Sequence, residues 1–232
     1  MKDLSAIKNH YGPLLAKEAL QLGAIRLRPE DPFTWASGYR MPIYNDNRQL
    51  LALPKARSLV AEAFLEMLKA LDFDPDNIAG TATAGIPHAT TLADRMCKPL
   101  SYVRSSGKDH GLHQMIEGLG PSGSYEGAKV LLIEDLISTG GSSIKAVEAI
   151  VLAGGLCPYT LAIFTYGLQA SVDAFLSLTS VCTAHTILEY DSMVATALEI
   201  GYVNESGALL LNEWRKDPFG WGEKHGFPSL KK

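Results

Sequence analysis

The sequence predicts an α/β fold, a parallel sheet covered by helices on both faces. Two observations carry that expectation. From residue 77 onward, apolar strand-like runs ("NIAGTA", "PLSYVR", "KVLLIEDL", "YTLAIFTYG") alternate with helical segments ("IPHATTLADRMC", "SSIKAVEAIVLAGG"). The runs, "KVLLIEDL" above all, have almost no polar interruption. Strands buried on both faces read this way, whereas half-exposed strands alternate. Right-handed crossovers follow from that topology. At 232 residues the chain can bury a substantial core, as one large domain or two small ones.

The elements follow in order. Residues 3–22 carry Leu14, Leu15, Ala19 and Leu22 at near-helical spacing and end near Gly23. Next, "AIRLRPEDPFTWASGYRMPIYNDNR" holds short alternating runs broken by Pro29, Pro32, Gly38 and Pro42, which predicts a small antiparallel element of short strands and turns. Pro54 suits a first helical turn, with Val60, Phe64, Met67 and Leu71 as one apolar stripe behind it. In the helix after residue 142, Ile144, Val147 and Val151 share a face. The stretch 105–127 is long, glycine-rich and polar, and a loop of that kind is either functional or disordered. After Asn204, the residues Leu209, Leu210 and Trp214 predict one more packed helix, followed by a glycine-rich end and a frayed "PSLKK".

Composition excludes several classes. Hydrophobic residues are 47% and charged residues 20%, as in an ordinary soluble globular protein. The first twenty residues carry charges throughout and lack the apolar core of a signal peptide. No apolar run reaches the roughly 18 residues of a membrane span. Cys97, Cys157 and Cys182 are odd in number, widely spaced and without ligand-like neighbours, so they read as reduced, buried thiols of a cytoplasmic protein rather than metal ligands. A net charge of −4 argues against a general nucleic-acid binder. It leaves room for a small anionic ligand, since local amides and a few cations can dominate one pocket.

Chemistry concentrates in "VLLIEDLISTGGSS". In an open parallel sheet, ligands collect at the carboxyl ends of strands, which is where Glu134 and Asp135 arrive. Residues 138–142 then form a tight turn into a helix N-terminus, where unpaired N–H groups and the helix dipole favour a phosphate. Gly140 and Gly141 permit close approach of the backbone, and Ser138, Thr139 and Ser142 add hydroxyls. Two carboxylates repel an anion, so they face hydroxyls or a bound cation. A ribose phosphate fits, with its phosphate in the turn and its 2- and 3-hydroxyls donating to Glu134 and Asp135. The run is neither G-x-x-x-x-G-K-[ST] nor G-x-G-x-x-G. The plain alternative is a solvated acidic pair followed by a Ser/Gly helix cap.

The same run resembles the ribose-phosphate signature of the type I phosphoribosyltransferases, matched here by Glu134, Asp135, Leu136, Ile137, Ser138, Thr139, Gly140, Gly141 and Ser142. "FTWASGYRMPIYNDNR", "ATAGIPHA" and "YVRSSGKDHGLHQMIEG" resemble, in order, segments of the orotate phosphoribosyltransferase branch, so the likeness covers most of residues 17–216. It implies a single domain over 1–232, with a hood mainly in 1–50, a parallel-sheet core over about 51–200 and a packed helix at about 205–216. It also implies transfer of phosphoribosyl from 5-phosphoribosyl 1-diphosphate to orotate, with Mg2+ carried by the substrate rather than bound by protein ligands. The implied assembly is a cytoplasmic homodimer with no nucleic-acid or membrane partner. Other outcomes are a purine-type transferase, or a regulatory protein that binds the donor without turnover.

The resemblance assigns roles residue by residue. Arg104, Lys108 and His110 bind the diphosphate, with Lys108, Asp109 and His110 as the catalytic group of a loop that reaches into the neighbouring site of the dimer. The glycines of "GKDHG" let that segment swing over the substrate and reopen. Asp109 reads either as a proton relay or as the carboxylate that keeps Lys108 charged, and His113 as a bystander. Ala84 and Gly85 present amides to the leaving group, and Ser138 touches orotate. Tyr44 lies near the orotate ring or in the core. Three departures stand out: Ser105 where many relatives carry lysine, Arg26 in place of a lysine, and Tyr166 where some relatives use an arginine near the orotate carboxylate. The partner of that carboxylate is therefore open between Arg26 and amides of the hood.

Overall fold

A computed structural model describes residues 3–105 and 115–230. In chain order it contains α1 (Leu4–Leu22), β1 (Ile25–Leu27), β2 (Phe33–Thr34), β3 (Arg40–Met41), β4 (Ile43–Asn45), a 3-10 helix (Asn47–Ala52), α2 (Pro54–Ala70), β5 (Asn77–Thr81), α3 (Gly85–Met96), β6 (Leu100–Val103) and β7 (Ile116–Glu117). It continues with β8 (Lys129–Ile137), α4 (Gly141–Leu152), β9 (Leu156–Thr165), α5 (Gln169–Leu176), β10 (Thr183–Glu189), α6 (Tyr190–Glu199), α7 (Glu205–Lys216) and α8 (Trp221–Lys224).

Local chemistry explains the ends of these elements. Asp3 caps α1 by accepting from the Ala6 N–H at 2.7 Å. Gly23 ends it in the left-handed conformation at φ 77°, which costs glycine little. Pro54 opens α2, where its missing N–H has no partner to lose.

The six-stranded sheet has the order β10–β9–β8–β5–β6–β7, parallel throughout except for the antiparallel β6–β7 pair. Successive side chains of a strand point to opposite faces, and β8 buries both. Leu131 and Ile133 join the core beneath α1, α2 and α3, while Val130 and Leu132 join the one beneath α4. Two packed faces account for the uninterrupted apolar reading of this strand. Gly80 brings α3 close to β5: a Cβ there would lie 2.7 Å from the Ile86 Cα.

Two antiparallel pairs, β1–β4 and β2–β3, form the small N-terminal element. Aromatic contacts fasten it to the core, since the Trp35 ring lies 6.1 Å from Tyr166 and 6.4 Å from Trp214. Such pairs contribute about 0.5–1.5 kcal/mol each beyond their buried area. The helix α1 lies within the segment expected to form the hood, and it packs on β10 and α6.

Several expectations need correction. The buried face of α4 is Ser143, Ala146, Val147 and Ile150, and Val151 is exposed. In α7 the inward residues are Ala208, Leu211 and Trp214, while Leu209 faces out. Cys97 is exposed, and only Cys157 and Cys182 are buried. The span 168–203, which periodicity left unread, holds α5, β10 and α6. As the sheet's edge strand, β10 is buried only toward its centre, so its pattern is weaker than that of β8. Among the described residues, no helix is long and apolar enough to cross a membrane.

Candidate active site

The site grows from the carboxyl end of β8. Continuing the strand's alternation past Leu132 points Glu134 toward α4, where it is 4% exposed. Its carboxylate is enclosed by donors. Thr81 Oγ1 donates to Oε1 at 2.6 Å and the Asp135 N–H to the same oxygen at 3.1 Å. Oε2 accepts from Ser143 Oγ at 3.1 Å and Ser142 Oγ at 3.4 Å. Burial pushes the Glu134 pKa up to about 7; the Thr81 hydrogen bond opposes that rise and the neighbouring Asp135 charge adds to it. Burial also raises the Asp135 pKa. The Asp135 backbone carbonyl accepts from Asn47 Nδ2 at 2.7 Å.

Beyond Asp135 the chain turns into α4. Gly140 takes φ 87°, and a Cβ at Gly141 would meet nothing within 4 Å, so the backbone there stands open. Among the described residues, no side chain caps the N-terminus of α4. Its first N–H groups therefore face outward with the positive end of the helix dipole, a site for an anion. This turn floors a cavity of about 440 Å³. Glu134, Asp135 and Leu136 form one wall, Ala82, Thr83 and Ala84 a second, and Asn45, Asp46 and Arg48 of the N-terminal element a third. The Ala82–Thr83 peptide bond is cis.

The structure brings most of the expected residues together. Glu134, Asp135, Leu136, Ser138, Thr139, Gly140, Gly141, Ser142 and Ala84 all line this cavity. Ile137 is buried and is not among the side chains that line it. Gly85 sits behind the wall, where a Cβ would lie 2.5 Å from the Ile133 carbonyl oxygen and from Thr81 Oγ1. Arg104 and Ser105 line an adjoining cavity of about 230 Å³ that shares Ala82 and Ser142 with the first. The Arg104 guanidinium is held by Glu117, with Nη1 to Oε1 at 3.1 Å.

Arg26 and Tyr44 pair across β1 and β4, the guanidinium carbon 4.6 Å from the ring centroid, and neither lines the cavity. Tyr166 is 2% exposed among Phe164, Trp35 and Trp214, so the departure there is a core substitution. Lys108, Asp109, His110 and His113 lie outside the described residues. Among the described residues, no cluster of three or more His, Cys, Asp or Glu side chains could hold a metal ion.

Sequence reasoning missed Thr81, Ser143, Asn47, Asn45, Asp46 and Arg48, together with Lys145, which lines the Arg104 cavity. Ser143 had a local signal, as the next hydroxyl in the first turn of α4. The others reach the site through tertiary pairing.

A model of the phosphoribosyl transferase domain matches residues 46–163. The chain is 42% identical over 212 residues to the orotate phosphoribosyltransferase of Cytophaga hutchinsonii, covering 91% of this chain and 99% of that protein. It is 45% identical over 209 residues to the orotate phosphoribosyltransferase of Listeria monocytogenes, covering 90% and 97%. The chain belongs to the orotate phosphoribosyltransferase family. Its structure resembles the crystal structure of orotate phosphoribosyltransferase from Aeropyrum pernix with a TM-score of 0.67 at 28% identity, over 82% of this chain and 99% of that one. The acid pair and the open turn meet at the end of one parallel strand, and the N-terminal element closes the third side.

Proposed function

We propose that the chain transfers the 5-phosphoribosyl group of 5-phosphoribosyl 1-diphosphate to orotate, releasing diphosphate and forming orotidine 5'-phosphate in de novo pyrimidine biosynthesis. One observation carries the reading: a single cavity joins the open amides of the 138–142 turn to the acid pair at the end of β8. The 5-phosphate lies on the turn and is held by the Gly140, Gly141 and Ser142 amides. Asp135 faces the ribose hydroxyls. The enclosed Glu134 carboxylate fixes the wall from behind and reaches the diol at the cavity edge.

Departure of diphosphate from the anomeric carbon leaves an oxocarbenium-like ring. That step needs positive charge around the leaving group and negative or lone-pair density near the ring, so catalysis is mostly positioning and preorganised electrostatics. Arg104, Lys108 and His110 supply the cations, and the Ala84 and Gly85 amides approach the same oxygens. The diphosphate, rather than protein ligands, would carry Mg2+, which would supply further positive charge beside these residues. Ser138 contacts the base, and the active species is a cytoplasmic homodimer in which residues of the 108–110 segment reach the neighbouring site. Free thiols at all three cysteines support the reducing compartment.

The test follows the ultraviolet absorbance of orotate with Mg2+ and 5-phosphoribosyl 1-diphosphate. Orotate should be consumed and an equivalent of diphosphate released. Consumption of purine bases in its place would move the chain to another branch of the family.

A further inference from the structure

We infer that Arg48 receives the carboxylate of the pyrimidine acceptor and so sets the preference for a carboxylated base; this rests on the transfer reaction proposed above.

Chemistry fixes the side from which the acceptor comes. In a displacement at an anomeric carbon, the entering and leaving groups occupy opposite faces of the sugar. The leaving-group residues Ala84 and Arg104 follow β5 and β6, which lie on one side of β8, while β9 lies on the other. The N-terminal element leans over the β9 side, with Trp35 packed 6.1 Å from Tyr166 just past that strand. The acceptor therefore enters beneath the N-terminal element.

An acceptor of this class brings a full negative charge, which needs a cation. The first 57 residues hold five arginines: Arg26, Arg28, Arg40, Arg48 and Arg57. Arg26 lies over the Tyr44 ring at 4.6 Å, and Arg28 lies over Phe33 at 5.1 Å beside Asp31. Arg40 donates to the Pro32 carbonyl at 2.9 Å, and Arg57 donates to the Leu51 carbonyl. None of these four lines the cavity, whereas Arg48 does. Elimination thus moves the expected carboxylate partner from Arg26 to Arg48.

Its geometry suits the task. The Arg48 Nε donates to Asp46 Oδ1 at 2.5 Å, which anchors the base of the guanidinium. Among the described residues, the structure gives its two terminal nitrogens no hydrogen-bond partner, and the side chain is 64% exposed. A planar fork with two available donors matches the two oxygens of a carboxylate. Asp46 holds the fork in place, and Asp135 lies close enough to favour its charged form.

The experiment compares wild type, Arg48→Ala and Arg48→Lys in steady-state kinetics with orotate and, separately, with uracil, which lacks the carboxylate. Arg48→Ala should raise the KM for orotate roughly tenfold or more, while the KM for 5-phosphoribosyl 1-diphosphate stays within about twofold. The orotate-over-uracil preference in kcat/KM should fall by a similar factor. Arg48→Lys keeps the charge without the fork and should fall between the two. A rise confined to the donor's KM, or an unchanged preference, overturns the assignment. Wild type separates the two failures. If it consumes no orotate, the transfer reading itself has failed; normal wild-type turnover with an unaltered preference in Arg48→Ala sinks only the Arg48 role.

Discussion

Thr81, the last residue of β5, donates its hydroxyl to Glu134 near the end of β8, with Oγ1 and Oε1 2.6 Å apart. The bond spans two neighbouring parallel strands at the edge where substrate is expected to sit. Removing it leaves a buried carboxylate oxygen short of a donor, a defect that costs about 1–3 kcal/mol. Thr81→Val should therefore lower the melting temperature. It should also raise the KM for 5-phosphoribosyl 1-diphosphate, because the carboxylate proposed to meet the ribose is no longer held in place. Thr81→Ser retains the hydroxyl and should restore most of the KM. A normal KM in Thr81→Val would show that Glu134 holds its place without this partner.

The same enclosure makes stability depend on pH. Burial raises the Glu134 pKa from 4.5 to about 7 in the folded chain. Between those values the native state holds a proton that the unfolded chain has released, so the unfolded state binds fewer protons there. Stability is then greatest below about pH 4.5 as far as this group is concerned, and it is lost as pH rises toward 7, with a slope of at most about 1.4 kcal/mol per pH unit. Glu134→Gln cannot ionise and should flatten that slope. Urea unfolding of both proteins without substrate at pH 5, 6 and 7 measures the difference. Parallel curves would mean that another group dominates the window.

Lys108 tests the proposed lid. The resemblance assigns it to the moving loop and to the leaving diphosphate, where one lost electrostatic contact to a transition state costs roughly 100-fold in kcat or more. If Lys108 serves the leaving group and not the packing, Lys108→Ala should show that loss with a stability change within about 0.5 kcal/mol. A large fall in melting temperature would place Lys108 in the packing of the fold instead.

How much of this was legible in the sequence differs residue by residue. The end of β8 was readable because a doubly buried strand announces itself, and its last residues must reach the ligand edge. The motif assigned Ile137 to the substrate, yet its side chain is buried, which leaves its backbone as the part that can meet a ligand. Thr81 stands 53 positions from Glu134, and Asn47 stands 88 from Asp135. Their pairing depends on the register of β5 against β8 and on how the N-terminal element folds over, which no local pattern encodes. Arg48 ends the segment "FTWASGYRMPIYNDNR", where nothing local sets it apart from the other four arginines; its place in the cavity and its unpaired terminal nitrogens among the described residues do.

The two glycines assigned to anion contacts should respond in opposite ways to an added methyl group. At Gly85, a Cβ would press to 2.5 Å on the backbone carbonyl of Ile133 and on Thr81 Oγ1. A carbonyl inside the sheet moves only with its strand, so Gly85→Ala should cost about 1–3 kcal/mol of stability and disturb the Thr81–Glu134 bond as well. At Gly141 the space is empty within 4 Å, and the residue opens α4 in a helical conformation that alanine adopts readily. Alanine is favoured over glycine inside helices by about 0.8–1 kcal/mol, so Gly141→Ala should leave the melting temperature unchanged or slightly raised. Yet its methyl group would stand over the amides proposed to hold the 5-phosphate, and the KM for the donor should rise. Thermal melts beside donor titrations read both effects. If Gly141→Ala bound the donor normally, the phosphate would have to lie elsewhere than on the turn.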